Sequence, residues 1–259
     1  MIPYFPQPSF RLGPFHWYAF QPLVVLAIVG GYWGVVLRAD RLGLDRARAS
    51  RFCLWILICG FLFGHWVKLL LPDPSRALER WWLLLWPFAG QASFGGLLGG
   101  MIGVLGWTCR ERISGRQLWR WLDVLAFVWP FALGIGRFAC TLAHDHRGVW
   151  TDHWLAIRYP EGTRFNLGLI EFLFLIALSA AFLALDRRPR PVGLFFCTYG
   201  IVYGAFRLWL DTLHHAPPRL FGPTLDQIGG GITLLVGLAA LALTLSISRG
   251  GGIASPRPA

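Results

Sequence analysis

Leu167-Gly-Leu-Ile-Glu171-Phe-Leu-Phe-Leu-Ile-Ala-Leu-Ser-Ala-Ala-Phe-Leu-Ala-Leu185 decides the fold class. It holds a single charge in a run long enough to cross a bilayer, which takes about 20 mostly apolar residues. Apolar residues fill the run instead of recurring every third or fourth position, so it is not an amphipathic helix with one wet face. Six more stretches read the same way: 17–38, 52–71, 91–109, 119–142, 191–211 and 225–247. The chain is 55% hydrophobic and 14% charged, well below the roughly 25% charged residues of a soluble domain. The expectation is an all-α polytopic protein of seven transmembrane helices, forming one integral membrane domain over 1–259 without linkers. Trp81-Trp-Leu-Leu-Leu-Trp-Pro-Phe88 is too short to span and reads as interfacial. No basic region precedes the first span, so it is expected to be retained and not cleaved as a signal peptide.

All but one of the 24 basic residues are Arg, and they alternate between loops. Arg38, Arg41, Arg46, Arg48 and Arg51 fall in one loop, and Arg110, Arg112, Arg116 and Arg120 in the next but one. Arg187, Arg188 and Arg190 follow in a third, and Arg249 and Arg257 lie after the last span. The intervening loops balance their cations with Asp73, Glu79, Asp145, Asp152, Glu161 and Asp226. By the positive-inside rule the N-terminus is external and the C-terminus cytoplasmic. Residues 1–16 then form an external interfacial segment, 143–166 an external loop and 248–259 a cytoplasmic tail. The net charge of +11 is thereby absorbed by topology, and no nucleic-acid partner is expected. Cys53, Cys59, Cys109, Cys140 and Cys197 are odd in number and sit in or at the ends of spans, which argues against a disulfide framework.

This topology gives every intramembrane polar residue a depth, and most gather toward the external face. Arg137 lies about 5 residues, or roughly 7–8 Å at 1.5 Å per residue, from the end of the fourth span. Arg207 and Asp211 occupy the last turns of the sixth, and Glu171 sits one turn into the fifth. His16, Gln91, Ser93, Asp226 and Gln227 mark the external mouths of the others. A charge in hydrocarbon costs several kcal/mol unless it is paired or wet. Lys68 and Asp226 are near enough to helix ends to snorkel. Arg137 and Arg207 are deeper and read as functional, against the alternative of structural pairs, Arg207 with Asp211 at i,i+4 or Arg137 with Glu171. Tyr203, Arg207 and Asp211 recur every fourth residue and form one stripe. Arg137, Cys140 and Thr141 share a helix face, with His144 and Asp145 about two turns further on if the helix continues.

Two guanidinium groups at headgroup depth suit a lipid phosphate. Arg offers phosphate paired, charge-assisted hydrogen bonds that Lys cannot reproduce, and such a clamp stabilises charge developing on a departing phosphate. His144, Asp145 or His146 can serve as acid or base beside it. A metal is not expected, because neighbouring residues of His144-Asp145-His146 point apart on an extended chain and no zinc spacing occurs. No cofactor is expected either. Paired inverted repeats with matching broken helices are absent, as are Gly-x-Ser-Gly and Gly-x-Gly-Asp, which disfavours transport and two kinds of intramembrane protease. The residues therefore point to an enzyme or binder acting on an anionic phospholipid from the external side.

Five stretches resemble bacterial prolipoprotein diacylglyceryl transferases in order and spacing. They are Gly13-Pro14-Phe15-His16-Trp17-Tyr18, Gln91-Ala-Ser93-Phe94-Gly95-Gly96-Leu97, Pro130-Phe131-Ala-Leu-Gly134-Ile-Gly136-Arg137, Tyr203-Gly204-Ala205-Phe206-Arg207 and Asp226-Gln227-Ile228. The resemblance implies seven spans in the orientation above and a site in the bacterial cytoplasmic (inner) membrane. It also implies transfer of the diacylglyceryl group of phosphatidylglycerol to the lipobox cysteine in the signal-peptide region of a prelipoprotein, releasing glycerol 1-phosphate. It places Arg137, Asp145 and Arg207 in catalysis, and the acid–base chemistry of the adjoining residues adds His144 to them. His16, Tyr18, Ser93, Gly95, Gly96, Cys140, Gly148, Glu171, Tyr203, Asp211 and Gln227 fall to substrate binding. Asp145 and Asp211 stand where that family has glutamate, and Cys140 and Ala143 where it has asparagine. The family's Ser-Phe-His-Gly-Gly-Leu motif lacks its histidine here, and His16, His65, His144 and His146 are the candidates to replace it. The alternatives implied are a related lipid transferase with another acceptor or headgroup, or a non-catalytic lipid-binding protein.

Overall fold

The computed structural model describes residues 1–71, 74–86, 90–215 and 223–249. Asp73, residues 87–88 of the expected interfacial stretch, and residues 250–259 of the expected tail, Arg257 among them, lie outside the described residues. In chain order the strands are β1 (Ile2–Pro3), β2 (Ser9–Leu12), β3 (Phe15–Tyr18), β4 (Arg147–Trp150), β5 (Ile157–Tyr159) and β6 (Gly162–Asn166). The helices are α1 (Phe20–Arg41), α2 (Arg46–Leu70), α3 (Pro74–Glu79), α4 (Ser93–Glu111), α5 (Gly115–Ala143), α6 (Leu167–Asp186), α7 (Leu194–Asp211) and α8 (Leu225–Arg249). A 3-10 turn covers Trp81–Leu85 and leaves Trp81, Trp82 and Trp86 exposed.

Among the described residues the chain is mostly helical. α1, α2, α5, α6 and the Leu225–Ser246 part of α8 are each long and apolar enough to cross a membrane. α4 and α7, at 19 and 18 residues, are diluted by glycine and by Arg207 and Asp211. Each expected span holds one of these seven helices, but their starts differ for local reasons. The first begins at Phe20, not residue 17, because the aromatic run Phe15–Tyr18 instead pairs antiparallel with Ser9–Leu12, Arg11 opposite His16. α2 starts six residues before the apolar run, where the Asp45 side chain accepts from Arg48 N at 2.6 Å. Ser114 and Gln117 cap each other at the start of α5, with Ser114 N donating to Gln117 Oε1 at 3.1 Å.

An all-α description also omits two small sheets. Besides the β2–β3 hairpin, β1, β5, β6 and β4 form a sheet in that order, with β1 parallel to β5 and the other pairs antiparallel. The loop expected over 143–166 is therefore half strand.

The chain divides into two compact units, Val35–Trp121 and Met1–Gly34 with Leu122–Ala259. In the first, α2 and α4 pack backbone to backbone. A Cβ on Gly95 would stand 2.5 Å from the Phe63 carbonyl oxygen, and one on Gly99 would collide with that of Cys59. Phe52, Trp107 and Trp121 fill its core, with Phe52 4.8 Å and Trp121 5.3 Å from the Trp107 ring centre. Arg51 clasps Glu111 through Nε at 2.6 Å and Nη2 at 3.2 Å. Buried His65 reaches the carbonyl oxygens of Leu83 (2.9 Å) and Gly90 (3.2 Å).

In the second unit, buried Asp123 of α5 accepts from Phe195 N at 2.8 Å and from Arg190 Nη1 at 3.1 Å, tying α5 to the start of α7. Phe127, Phe182 and Phe195 pack beside it. α7 and α8 approach through Gly200 and Gly237, where a Cβ on Gly200 would lie 2.7 Å from the Gly237 Cα. That approach sets Arg207 of α7 opposite Asp226 of α8.

Candidate active site

Glu171 is the centre of the polar interior, with 1% of its side chain exposed. Two helices, α5 and α7, the neighbours of α6 in sequence, converge on it. Tyr203 donates its hydroxyl to Oε1 at 2.7 Å, and Arg207 donates Nη1 to Oε2 at 3.1 Å. Arg137 brings Nε within 3.0 Å of Oε2, but that N–H is not directed at the oxygen, so the contact is ionic and not a hydrogen bond. Arg207 turns Nη2 to Asp226 Oδ2 at 2.7 Å. The four formal charges sum to zero, yet the two guanidiniums keep donors to spare. Among the described residues neither terminal nitrogen of Arg137 makes a hydrogen bond. An anion with several oxygens is what such a fork receives.

Of the two alternative pairs, Arg137 with Glu171 forms and the i,i+4 pair of Arg207 with Asp211 does not. Asp211 is buried and accepts from Thr224 Oγ1 at 2.8 Å through Oδ2, while its Oδ1 has no hydrogen-bond partner among the described residues. Thr224 also starts α8. Its backbone N–H donates to Gln227 Oε1 at 3.1 Å, and Gln227 N donates to Thr224 Oγ1 at 2.9 Å, a reciprocal cap. Gln227 thus spends its side-chain carbonyl on the helix start. Asp226, which has an Arg207 partner, does not simply snorkel.

α5 ends at Ala143, so His144 and Asp145 do not continue the face of Arg137. His144 adopts a left-handed backbone, φ 55°, which turns the chain. The ring is buried and points Nε2 at the Phe5 carbonyl oxygen, 2.8 Å away. A carbonyl only accepts, so Nε2 carries the proton and Nδ1 is the acceptor. Nδ1 meets Tyr159 Oη and Asn166 Nδ2, each at 3.3 Å. Asn166 also donates to the Thr141 carbonyl at 3.1 Å, and its Oδ1 caps α6 at Leu169 N, 3.0 Å. Burial raises the Tyr159 phenol, with the Asn166 hydrogen bond opposing. Arg147 pairs with Glu161 and stacks over the Tyr159 ring, 4.8 Å from its centre. His144 thereby has both nitrogens engaged in holding a corner.

Past that corner the chain brings Asp145 and His146 back toward Cys140, with His146 Nε2 3.9 Å from Asp145 Oδ1. Burial holds the His146 imidazole below its ordinary range; Asp145 pulls it up, while Arg137 and Arg207 push it further down. Gly148 meets the chain after α7 closely. Val149 N donates to the Leu213 carbonyl at 2.8 Å, and a Cβ on Gly148 would lie 2.8 Å from that same oxygen. His16 and Tyr18 project from β3 with rings edge to face, 4.8 Å apart and exposed. Ser93, Gly95 and Gly96 belong to the other unit, Ser93 opening α4 and Gly95 at its seam with α2.

Arg137, Glu171, Tyr203 and Arg207 thus come together, while His144, Gly148, Asp211 and Gln227 build the surrounding frame. Asn166, Tyr159 and Thr224 escaped the sequence reading. Asn166 and Thr224 carried a signal, each a capping residue directly before an apolar run. Tyr159 carried none.

The model of the prolipoprotein diacylglyceryl transferase family matches residues 7–245. The chain is 27% identical over 253 residues to the phosphatidylglycerol–prolipoprotein diacylglyceryl transferase of Chromohalobacter salexigens, covering 92% of this chain and 90% of that one. It is 24% identical to the protein of the same name from Symbiobacterium thermophilum, with 90% and 91% covered. Against the one from Azotobacter vinelandii the identity is 29%, with 82% of each chain covered. The match runs through every helix that builds the arginine–glutamate centre, and the chain belongs to the prolipoprotein diacylglyceryl transferase family.

Proposed function

We propose that this protein transfers the diacylglyceryl group of phosphatidylglycerol to the lipobox cysteine thiol of a prelipoprotein. The observation that carries this is the buried Glu171 holding two guanidiniums, with the terminal nitrogens of Arg137 making no hydrogen bond among the described residues. In this reading Arg137 and Arg207 hold the lipid phosphate. The cysteine sulfur forms a bond to the glyceryl carbon as the carbon–oxygen bond to phosphate breaks. The electron pair leaves with glycerol 1-phosphate, where both arginines stabilise the charge. Asp145, exposed at the edge of the site, accepts the thiol proton. Glu171 and Tyr203 orient the arginines, and His144 fixes the corner from which Asp145 projects. Cys140, Gly148, Asp211 and Gln227 frame the lipid site. His16, Tyr18, Ser93, Gly95 and Gly96 contribute to substrate binding from the hairpin and from α4.

The same reading sets the seven long helices across the bacterial inner membrane, with the N-terminus and the site external and the C-terminus cytoplasmic. The alternating arginine loops support it. The test is incubation of the purified protein with labelled phosphatidylglycerol and a lipobox peptide. A diacylglyceryl-modified peptide is expected. Release of glycerol phosphate with no modified peptide would favour a different acceptor, a reading supported by the missing histidine between Phe94 and Gly95. Lipid binding without any product would overturn transfer altogether.

A further inference from the structure

One group of reactive side chains beside the arginine centre makes none of the hydrogen bonds that hold the corner. Cys140 Sγ, a carboxylate oxygen of Asp145 and a ring nitrogen of His146 all lie within 4.8 Å of one another. Read as a linear triplet, His144-Asp145-His146 argues against a metal because adjacent residues diverge. In the folded chain the set is a different one. His144 is withdrawn into the corner, and the third donor is Cys140, contributed by the last turn of α5. The left-handed turn at His144, held by Phe5, Tyr159 and Asn166, is what folds Asp145 and His146 back over that helix end.

We propose that Cys140, Asp145 and His146 bind a divalent cation of the zinc class, with a fourth position open to a sulfur ligand. The donor set selects the ion. One thiolate, one imidazole and one carboxylate suit zinc, whereas calcium and magnesium take oxygen alone. Three protein donors instead of four leave a position for an exchangeable ligand, as in catalytic rather than structural zinc sites. Zinc–donor distances of about 2.0–2.3 Å place tetrahedral donors roughly 3.3–3.8 Å apart. The side chains therefore close by about 1.5 Å at most. Asp145 and His146 have that freedom, with side chains 40% and 37% exposed.

Charge balance permits the ion despite two neighbouring arginines. Glu171 and Asp226 already offset Arg137 and Arg207, so the dication meets the two negative charges of the Cys140 thiolate and Asp145. Arg137 precedes Cys140 by three residues on α5, one step along the same face. A lipid phosphate on the arginines and a sulfur on the metal would therefore be neighbours. The use of the fourth position rests on the transfer reading of the previous subsection; the site itself does not. There the acceptor S–H bond breaks heterolytically, its electron pair stays on sulfur and binds the metal, and the proton passes to the free oxygen of Asp145 and on to water.

The test uses the full chain purified in detergent, stripped with a chelator and reloaded with zinc or cobalt alone, without lipid or peptide. About one equivalent of metal per chain is expected, and the cobalt form should show a thiolate-to-metal band in the near ultraviolet. Cys140→Ser should abolish that band, and His146→Ala should weaken metal binding by more than about tenfold, as losing even an indirect partner of a ligand does. His153→Ala, outside the cluster, should change neither. Failure of the wild-type chain to hold stoichiometric metal, or a cobalt band that survives Cys140→Ser, would overturn the site. The wild-type cobalt spectrum decides the matter even where a variant fails to fold. Full-rate peptide modification by stripped protein would overturn the thiol role and leave the transfer reading standing. Stoichiometric metal in a protein that modifies no peptide would support the site and sink the transfer reading.

Discussion

At the scale of single residues, Glu171 works by being scarce: one buried carboxylate serves a tyrosine and two arginines at once. Glu171→Gln preserves shape but leaves Arg137 uncompensated and Arg207 with Asp226 alone. A loss of about 3–5 kcal/mol is expected, as for other broken buried pairs, read as a lower melting temperature in detergent together with lost transfer. Arg137→Lys keeps the charge and removes the fork. Turnover should fall about a hundredfold or more, the scale of losing one preorganised donor to a developing anion. Near-normal turnover by that variant would sink the phosphate role. The arginines and Glu171 were legible from the chain because a charge inside an apolar run demands an explanation. The pairing of Arg137 with Glu171 was among the alternatives, but the partner of Arg207 on α8 was not. Spacing along α7 suggested Arg207 with Asp211, whereas the close approach of α7 and α8 hands Arg207 to Asp226 and leaves Asp211 to Thr224. Periodicity describes one helix and is silent about its neighbour.

At the scale of elements, the reciprocal cap of Thr224 and Gln227 has a second duty, since the same hydroxyl supplies the hydrogen bond to buried Asp211. Thr224→Ala removes both. It should cost about 1–2 kcal/mol for the cap, and more for stranding a buried acceptor, while Thr224→Ser should retain most of the stability. Thermal unfolding of the two variants side by side separates these outcomes. The long helices were legible because hydropathy over some twenty residues averages out local noise. The strands were not, being two to five residues long and stabilised by partners distant in sequence. The end of α5 at Ala143 falls within a residue of the expected span, but the left-handed turn of His144 that follows it was hidden, because it is held by Phe5, Tyr159 and Asn166 and not by any local signal. Gly148→Ala should test the packing behind that turn. The added methyl, 2.8 Å from the Leu213 carbonyl oxygen, pushes β4 off the chain after α7, and lower thermal stability is the expected result.

At the scale of the whole molecule, the arginine–glutamate centre lies entirely within the unit made of Met1–Gly34 and Leu122–Ala259. The α2–α4 pair forms a unit with its own aromatic core. Topology belongs to this scale as well. A fluorescent reporter joined after α8 should fold and fluoresce, as it does only on the cytoplasmic side. A cysteine placed at Asp152 should react with an impermeant thiol reagent added to intact spheroplasts, and a residue in the α1–α2 loop should not. The reverse pattern would invert the orientation proposed from the arginine loops.

The carbonyl of Phe5 and strand β1 also bear on how the protein is made. Phe5 bonds to His144 across 139 residues of chain, and Ile2–Pro3 pairs with Ile157 and Arg158. Residues 2–5 must therefore wait for these partners until α1, α2, α4 and α5 have all been made. The reactive corner is assembled by a late encounter between an earlier and a middle stretch of the nascent chain, so a chain stalled before residue 166 would carry Arg137 in a helix and have nothing to organise it.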